Sequence, residues 1–315
     1  MSEPLTEIED SAYGSGANAG VVSLESTAAG AAAVLEGRGA DPGVVKRKLG
    51  FGFWLAMTWV GLMLFLAFFG SFLPLQDPTE TNSADKYAGF SSEHWLGADQ
   101  LGRDLLARVV DGASVSIIIG IGAISVGIVV GGLIGLVSGF HRGWTERTLM
   151  AANDLLLSVP ALILLLSIVT FIGRDMENIL LALAILSIAP IARLARANTL
   201  QWSQREFVQA ARVLGAKNRS LMFREILPNV MMPMLYLSLI GVGIVIVAEG
   251  TLAYLGLGIV NEISWGSMVV EGKESLDNAP HVAFVPSAFI FLTVLSLNYA
   301  GERVRMLADA RGSVL

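Results

Sequence analysis

Residues able to do chemistry are sparse in this chain of 315 and widely spaced. Cys is absent, which removes thiolate nucleophiles, thiolate metal sites and disulfides. The three histidines, His94, His141 and His281, are far apart and, in the topology derived below, lie on opposite sides of a membrane, so no shared metal site is expected. No G-x-x-x-x-G-K-[ST] phosphate loop occurs, so the chain has no site of that kind for a nucleotide. No basic patch with interleaved aromatics points to nucleic acid. Two acids interrupt apolar runs, Asp154 and Glu249. An ionisable group inside a membrane span is a functional candidate by default, so both are candidates for lining a path through the bilayer. The alternatives are local pairing of Asp154 near the cytosolic edge, and ordering of the following loop by Glu249.

The elements that must position these groups are membrane spans. The chain is 54% hydrophobic and 15% charged, with a mean hydropathy of +0.64, which excludes an ordinary soluble domain. Residues 1–45 are rich in Ala, Gly and Ser with acids near the front, and read as a disordered cytosolic tail. No basic region followed by an apolar core marks a signal peptide. Lys46, Arg47 and Lys48 precede a first span, Phe51 to Leu73. Residues 74–114 form an external segment, with an amphipathic helix expected over Gln100 to Asp111, capped by Asp99 and carrying an Asp104–Arg108 pair. Five further spans are expected: about Val115 to Val137; Leu149 to Ile172, loosened at Pro160; one from near Ile179 through Pro190; Val230 to Leu257; and Val282 to Tyr299. Six spans put both termini in the cytosol. All of the 21 Lys and Arg except Lys86, Arg103, Arg108, Arg174 and Lys273 then lie inside, as the positive-inside rule requires. In the second span Gly127, Gly131, Gly135 and Gly139 recur every four residues, a small-residue stripe for close helix packing. Tyr254 and Trp265 read as aromatic-belt anchors at the outer interface.

Between the fourth and fifth spans lies a polar island, WSQREFVQAARVLGAKNRSLMFREILPN, from Trp202 to Asn229. Ser203 and Glu206 have capping-box spacing. Phe207, Ala210, Ala211 and Leu214 repeat as one apolar face, and Gly215 follows where a left-handed cap is expected. Asn218 is placed to cap a second short helix that Pro228 ends. A membrane protein gains little for its own fold from such a helix–turn–helix bracket outside the bilayer.

This island resembles the EAA loop of ABC-importer permeases. Gln209, Ala210, Ala211, Gly215, Leu227 and Pro228 fall on its pattern, with Gln209 in place of the glutamate and Glu225 in place of an isoleucine. The segment His94 to Asp104 resembles the H-x-x-G-T-D-x-x-G-R-D signature of dipeptide and oligopeptide importers, with Ala98 replacing threonine. Ala248 to Gly258 resembles the A-E-x-x-L-S-F-L-G-L-G segment of the same family, and Trp265 to Met268 its W-G-x-M. On these residues the chain is identified as similar to the C-type permease subunit of a dipeptide/oligopeptide ABC importer, a binding-protein-dependent transport inner-membrane component. The resemblance implies an all-α type I importer fold over residues 46–315. It also implies a non-catalytic subunit of a bacterial cytoplasmic membrane, with coupling to the ATPase through residues 196–229: Phe207, Gln209, Ala210, Ala211, Gly215, Ala216, Leu227 and Pro228. The implied partners are a homologous B-type permease, two cytosolic ATP-binding subunits, separate or fused, that carry ATP and Mg, and an external peptide-binding protein. Nickel-importing permeases share much of the pattern and remain open, and an ion-coupled secondary transporter is the rival class.

Overall fold

The computed structural model describes residues 50–312. The expected tail, residues 1–45, and the basic flank after it lie outside the described residues. Long apolar runs in lipid must satisfy their backbone groups internally, and helices do so. We name nine helices: α1 Phe51–Phe69, α2 Leu105–Phe140, α3 Trp144–Ser158, α4 Ala161–Ile172, α5 Met176–Trp202, α6 Glu206–Val213, α7 Asn218–Leu257, α8 Trp265–Lys273 and α9 His281–Gly312. Five are long and apolar enough to cross a membrane: α1 with its 3-10 extension to Phe72, then α2, α5, α7 and α9. The bent pair α3 and α4 makes a sixth when the two helices are counted as one broken span. No strand occurs among the described residues, whose one isolated bridge joins Ala98 and Asp104.

The expected third span departs most from a simple helix. Pro160 does not merely loosen it: α3 and α4 meet at 88°. Val159 is extended (φ −91°, ψ 131°), as a residue before proline prefers, so the helix stops rather than bends. Proline is tolerated elsewhere: Pro190 lies inside α5, Pro233 inside α7 and Pro286 inside α9.

The glycine stripe packs as expected, against α5. A Cβ on Gly131 would lie 2.5 Å from the Ile188 carbonyl oxygen, and one on Gly139 2.7 Å from Thr199 Cβ. Gly127 faces Ser187 and Ile191, and Gly135 faces Ala192 and Ala195. Within the stripe, residues Gly127–Gly131 form a π turn. Off the stripe, Gly120 and Gly132 face Val242 and Met234 of α7. α2 is therefore packed on two sides, at near-backbone contact against α5 and against side chains of α7, where dispersion supplies the attraction that the hydrophobic effect cannot supply in lipid.

Two apolar clusters follow. The larger joins α1, α2, α4, α5, α7, α8 and α9 around Met63, Val109, Ile119, Leu165, Leu183, Ile246 and Trp265. The smaller lies at the α6 end of the bundle, where Val208 meets Leu136, Ala195, Leu221, Ile226 and Val230. Trp265 is not a belt anchor. It is fully buried, its indole N–H donating to the Val109 carbonyl at 2.9 Å and its backbone N–H to the Ser116 hydroxyl at 3.1 Å. Tyr254 is 58% exposed, with the Lys273 ammonium 4.4 Å from its ring centroid.

Candidate functional site

The bracket forms, with different joints. Ser203 closes α5, its hydroxyl donating to the Leu200 carbonyl, and α6 starts after Arg205 with no side-chain cap, so the expected capping box is absent. The α6 terminus is as expected: Gly215 has φ +84°, its N–H donates to the Arg212 carbonyl, and the Ala216 N–H donates to the Ala211 carbonyl, both at 3.0 Å. That is a Schellman closure, with Ala216 and Ala211 both packed on the smaller cluster. Lys217, not Asn218, precedes the next helix. Pro228 does not end that helix. It stands at the start of a regular segment just after a π turn, Leu221–Ile226, so the bracket's second arm is the beginning of α7 itself. Proline's missing N–H is harmless where the regular ladder begins.

The two faces of α6 part company. Val208, which the periodicity argument passed over, is fully buried and anchors α6 to the smaller cluster. Ala211 is half-buried beside it, while Ala210 and Gln209 are exposed. Phe207 is 42% exposed, and Val213 and Leu214 are 87% exposed. Phe207, Ala210, Val213 and Leu214 thus form a short apolar surface pointing away from the chain's own core. Ala211 does not belong to it, and Val213 does.

At the opposite end, the His94–Asp104 signature folds into a charged frame. The expected amphipathic helix over Gln100 to Asp111 does not form. Asp104, not Asp99, is the N-cap, accepting from the Ala107 N–H at 2.8 Å, and the helix it starts is α2. Asp99 instead closes a turn, accepting from the backbone of Leu101 and Arg103 and from Arg103 Nε at 2.7 Å. Arg108 pairs not with Asp104 but with Asp99 (3.2 Å) and with Glu271 of α8 (2.8 Å), and Arg103 also reaches Glu271 at 2.7 Å. Asp99 and Arg108 are 2% and 1% exposed. Gly102 has φ +74°, and a Cβ there would collide with the Asn82 carbonyl, which accounts for the signature's second glycine. His94, 5% exposed, bonds Asp104 through Nδ1 at 2.9 Å, with Asp85 3.5 Å from Nε2. The Asp104 hydrogen bond raises the His94 pKa above its ordinary value, against the opposing effect of burial. His94 and His281 are not far apart, because both flank the Gly97–Ala98 turn, where His281 Nε2 lies 3.3 Å from the Ala98 carbonyl oxygen. Among the described residues no group of three or more possible ligands could hold a metal.

The two intramembrane acids differ. Glu249 is 1% exposed; its Oε1 accepts from the Ser264 hydroxyl at 2.7 Å, and Ser264 in turn caps α8. Its Oε2 has no partner. A Cβ on Gly266 would lie 2.7 Å from Oε2, so glycine in the W-G-x-M motif makes room for this carboxyl. Asp154, more than half exposed, pairs with Arg193 at 2.7 Å.

A bundle of helices long and apolar enough to cross a membrane, with a buried charged frame at one end and a bracket turning an apolar surface away from its own core at the other, is the framework of a polytopic membrane protein. The chain belongs to the binding-protein-dependent transport system inner membrane components, whose family model matches residues 127–311. Among similar proteins is the glutathione transport system permease protein GsiD of Pectobacterium atrosepticum, 36% identical over 81% of this chain and 86% of its own. Another is the dipeptide transport system permease protein DppC of Alkalihalophilus pseudofirmus, 31% identical over 79% of this chain and 82% of its own. In fold the chain is similar to the inward-facing MetNI methionine ABC transporter, with a TM-score of 0.55 at 19% identity, covering 64% of this chain and 96% of that one.

Proposed function

We propose that this chain is the membrane-spanning permease subunit of an ATP-driven importer of short peptides in a bacterial cytoplasmic membrane. The observation that carries the reading is the apolar surface of α6, Phe207, Ala210, Val213 and Leu214, held outward by Val208 beneath it. Such a surface on a charged cytosolic bracket calls for a protein partner. The partner is one of two cytosolic ATPases that bind ATP and Mg, and Gly215, Ala216, Leu227 and Pro228 join the docked helix to α7. A homologous permease completes the path, and an external binding protein delivers cargo at the 74–114 side. Both termini are cytosolic. The relatives named for dipeptide and for glutathione, itself a tripeptide, favour peptide cargo over nickel.

Purifying the tagged chain from its own membrane tests the reading. Stoichiometric ATP-binding subunits and a second permease are the expected companions, and the associated binding protein should carry short peptide. A chain that catalyses uptake alone, without ATPase subunits, would instead be an ion-coupled carrier.

A further inference from the structure

The break between α3 and α4 separates an anchored half from an unanchored one. α4 places Leu165 and Val169 in the larger cluster. α3 has a single buried residue, the polar Asn153, and none of its apolar side chains belongs to either cluster. Its ties to α5 are polar. Asn153 Nδ2 donates to the Ala189 carbonyl at 3.2 Å, Arg193 Nη2 to Asp154 at 2.7 Å, and Arg196 to Glu146 through Nε at 2.9 Å and through Nη2. The two ion pairs border a cavity of about 740 Å³ that Arg147 and Ala151 also line. Asn153 Oδ1, though buried, has no partner in this arrangement.

We propose that Asp154–Arg193 and Glu146–Arg196 form a reversible ionic latch holding α3 against α5, and that its release lets α3 swing about Val159 and Pro160 to open the inner mouth of the transport path. The proposal rests on the importer reading. An element with few buried apolar contacts belongs to the low-stability end of a fold, where moving parts are found. The latch side chains are 22–58% exposed, and ion pairs that wet are individually weak, shifting a two-state equilibrium by up to about fivefold each. That suits contacts broken and remade in every cycle. A pair as buried as Asp99–Arg108 would act as a fixed brace. The two latch arginines also sit near the end of α5 from which the chain enters the bracket, so motion of the bracket reaches them directly.

The chain has no Cys, so Ala151→Cys provides a single reporter thiol on the cavity wall. In the assembled complex carrying this reporter, Asp154→Ala or Arg193→Ala should raise maleimide labelling and cargo-independent ATP hydrolysis about threefold or more. Arg193→Lys should behave like the reporter alone. The exchanged pair, Asp154→Arg with Arg193→Asp, should return both readouts toward the reporter's values. The latch is refuted by single variants that label at the reporter's rate, or by an exchanged pair that labels as fast as the singles. Uptake by the reporter complex bears on the importer reading separately. Persistent uptake with unchanged labelling sinks the latch alone, whereas absent uptake sinks the reading beneath it.

Discussion

At the scale of residues, the informative positions are those where only one side chain fits. Gly131 and Gly135 meet α5 backbone, whereas a Cβ on Gly122, off the stripe, would meet the mobile tip of Leu180 at 2.8 Å. Leucine at both stripe positions must push α2 and α5 apart, at about 1–3 kcal/mol each by analogy with overpacked cores. Gly131→Leu with Gly135→Leu should therefore abolish or sharply lower the yield of folded complex, and Gly122→Leu should not; equal yields would remove the packing argument. His94 makes a pH prediction. Its pKa is raised in the fold by Asp104, so the stabilisation is fully present below the unfolded value of about 6.5 and is lost as pH rises through the raised value. Amide exchange over residues 82–104, corrected for intrinsic rate, should lose protection across that window, and His94→Gln should flatten the dependence. A wild-type profile without that loss would show that the fold does not raise the His94 pKa.

At the scale of elements, the spans were legible because lipid demands long uninterrupted apolar helices, and the stripe because a four-residue glycine period has few other uses. The joints were not legible. Asp99 and Asp104 are both good N-caps by type, and local spacing could not tell that Glu271, 167 residues beyond Asp104, would claim Arg108 and Arg103. Ser203 and Glu206 have the spacing of a capping box, but α5 runs on to Trp202 and takes Ser203 as its own end. Val208 was missed because the periodicity ran through Phe207, Ala210, Ala211 and Leu214, whereas the fold turns Phe207, Ala210 and Leu214 outward and anchors α6 through the residue beside them. The outer frame carries its own test. Asp99→Ala would leave Arg108 buried and half-paired, a cost of about 3–5 kcal/mol for a broken buried pair. The thermal midpoint of the purified complex should fall by several degrees, and α8 should lose protection with it. An unchanged midpoint would mean that Glu271 alone satisfies the arginine.

For the whole molecule, family and fold class could be read from motifs and hydropathy, as could the five spans that form single long helices, whereas the break in the expected third span could not. Nothing in the sequence near Pro160 distinguishes a mild kink from the 88° break that leaves α3 resting on ion pairs. On the importer reading, the molecule combines a buried charged frame, a central helix clasped by α5, an α3 held loosely by ion pairs, and a bracket whose outward face on α6 transmits ATP-driven motion. Stimulation of ATP hydrolysis by loaded binding protein in the reconstituted complex tests that transmission most directly. Ala210→Asp puts a charge in the docking surface without touching the smaller cluster, and an unpaired buried polar group there costs about 1–3 kcal/mol, with a charge costing more. Gly215→Val strains a left-handed residue that has open space around it, so only the backbone is affected, and Gly215→Asn should be tolerated. The account predicts normal membrane levels for Ala210→Asp and Gly215→Val, with stimulated hydrolysis and uptake reduced tenfold or more. Wild-type stimulation in both variants would contradict it.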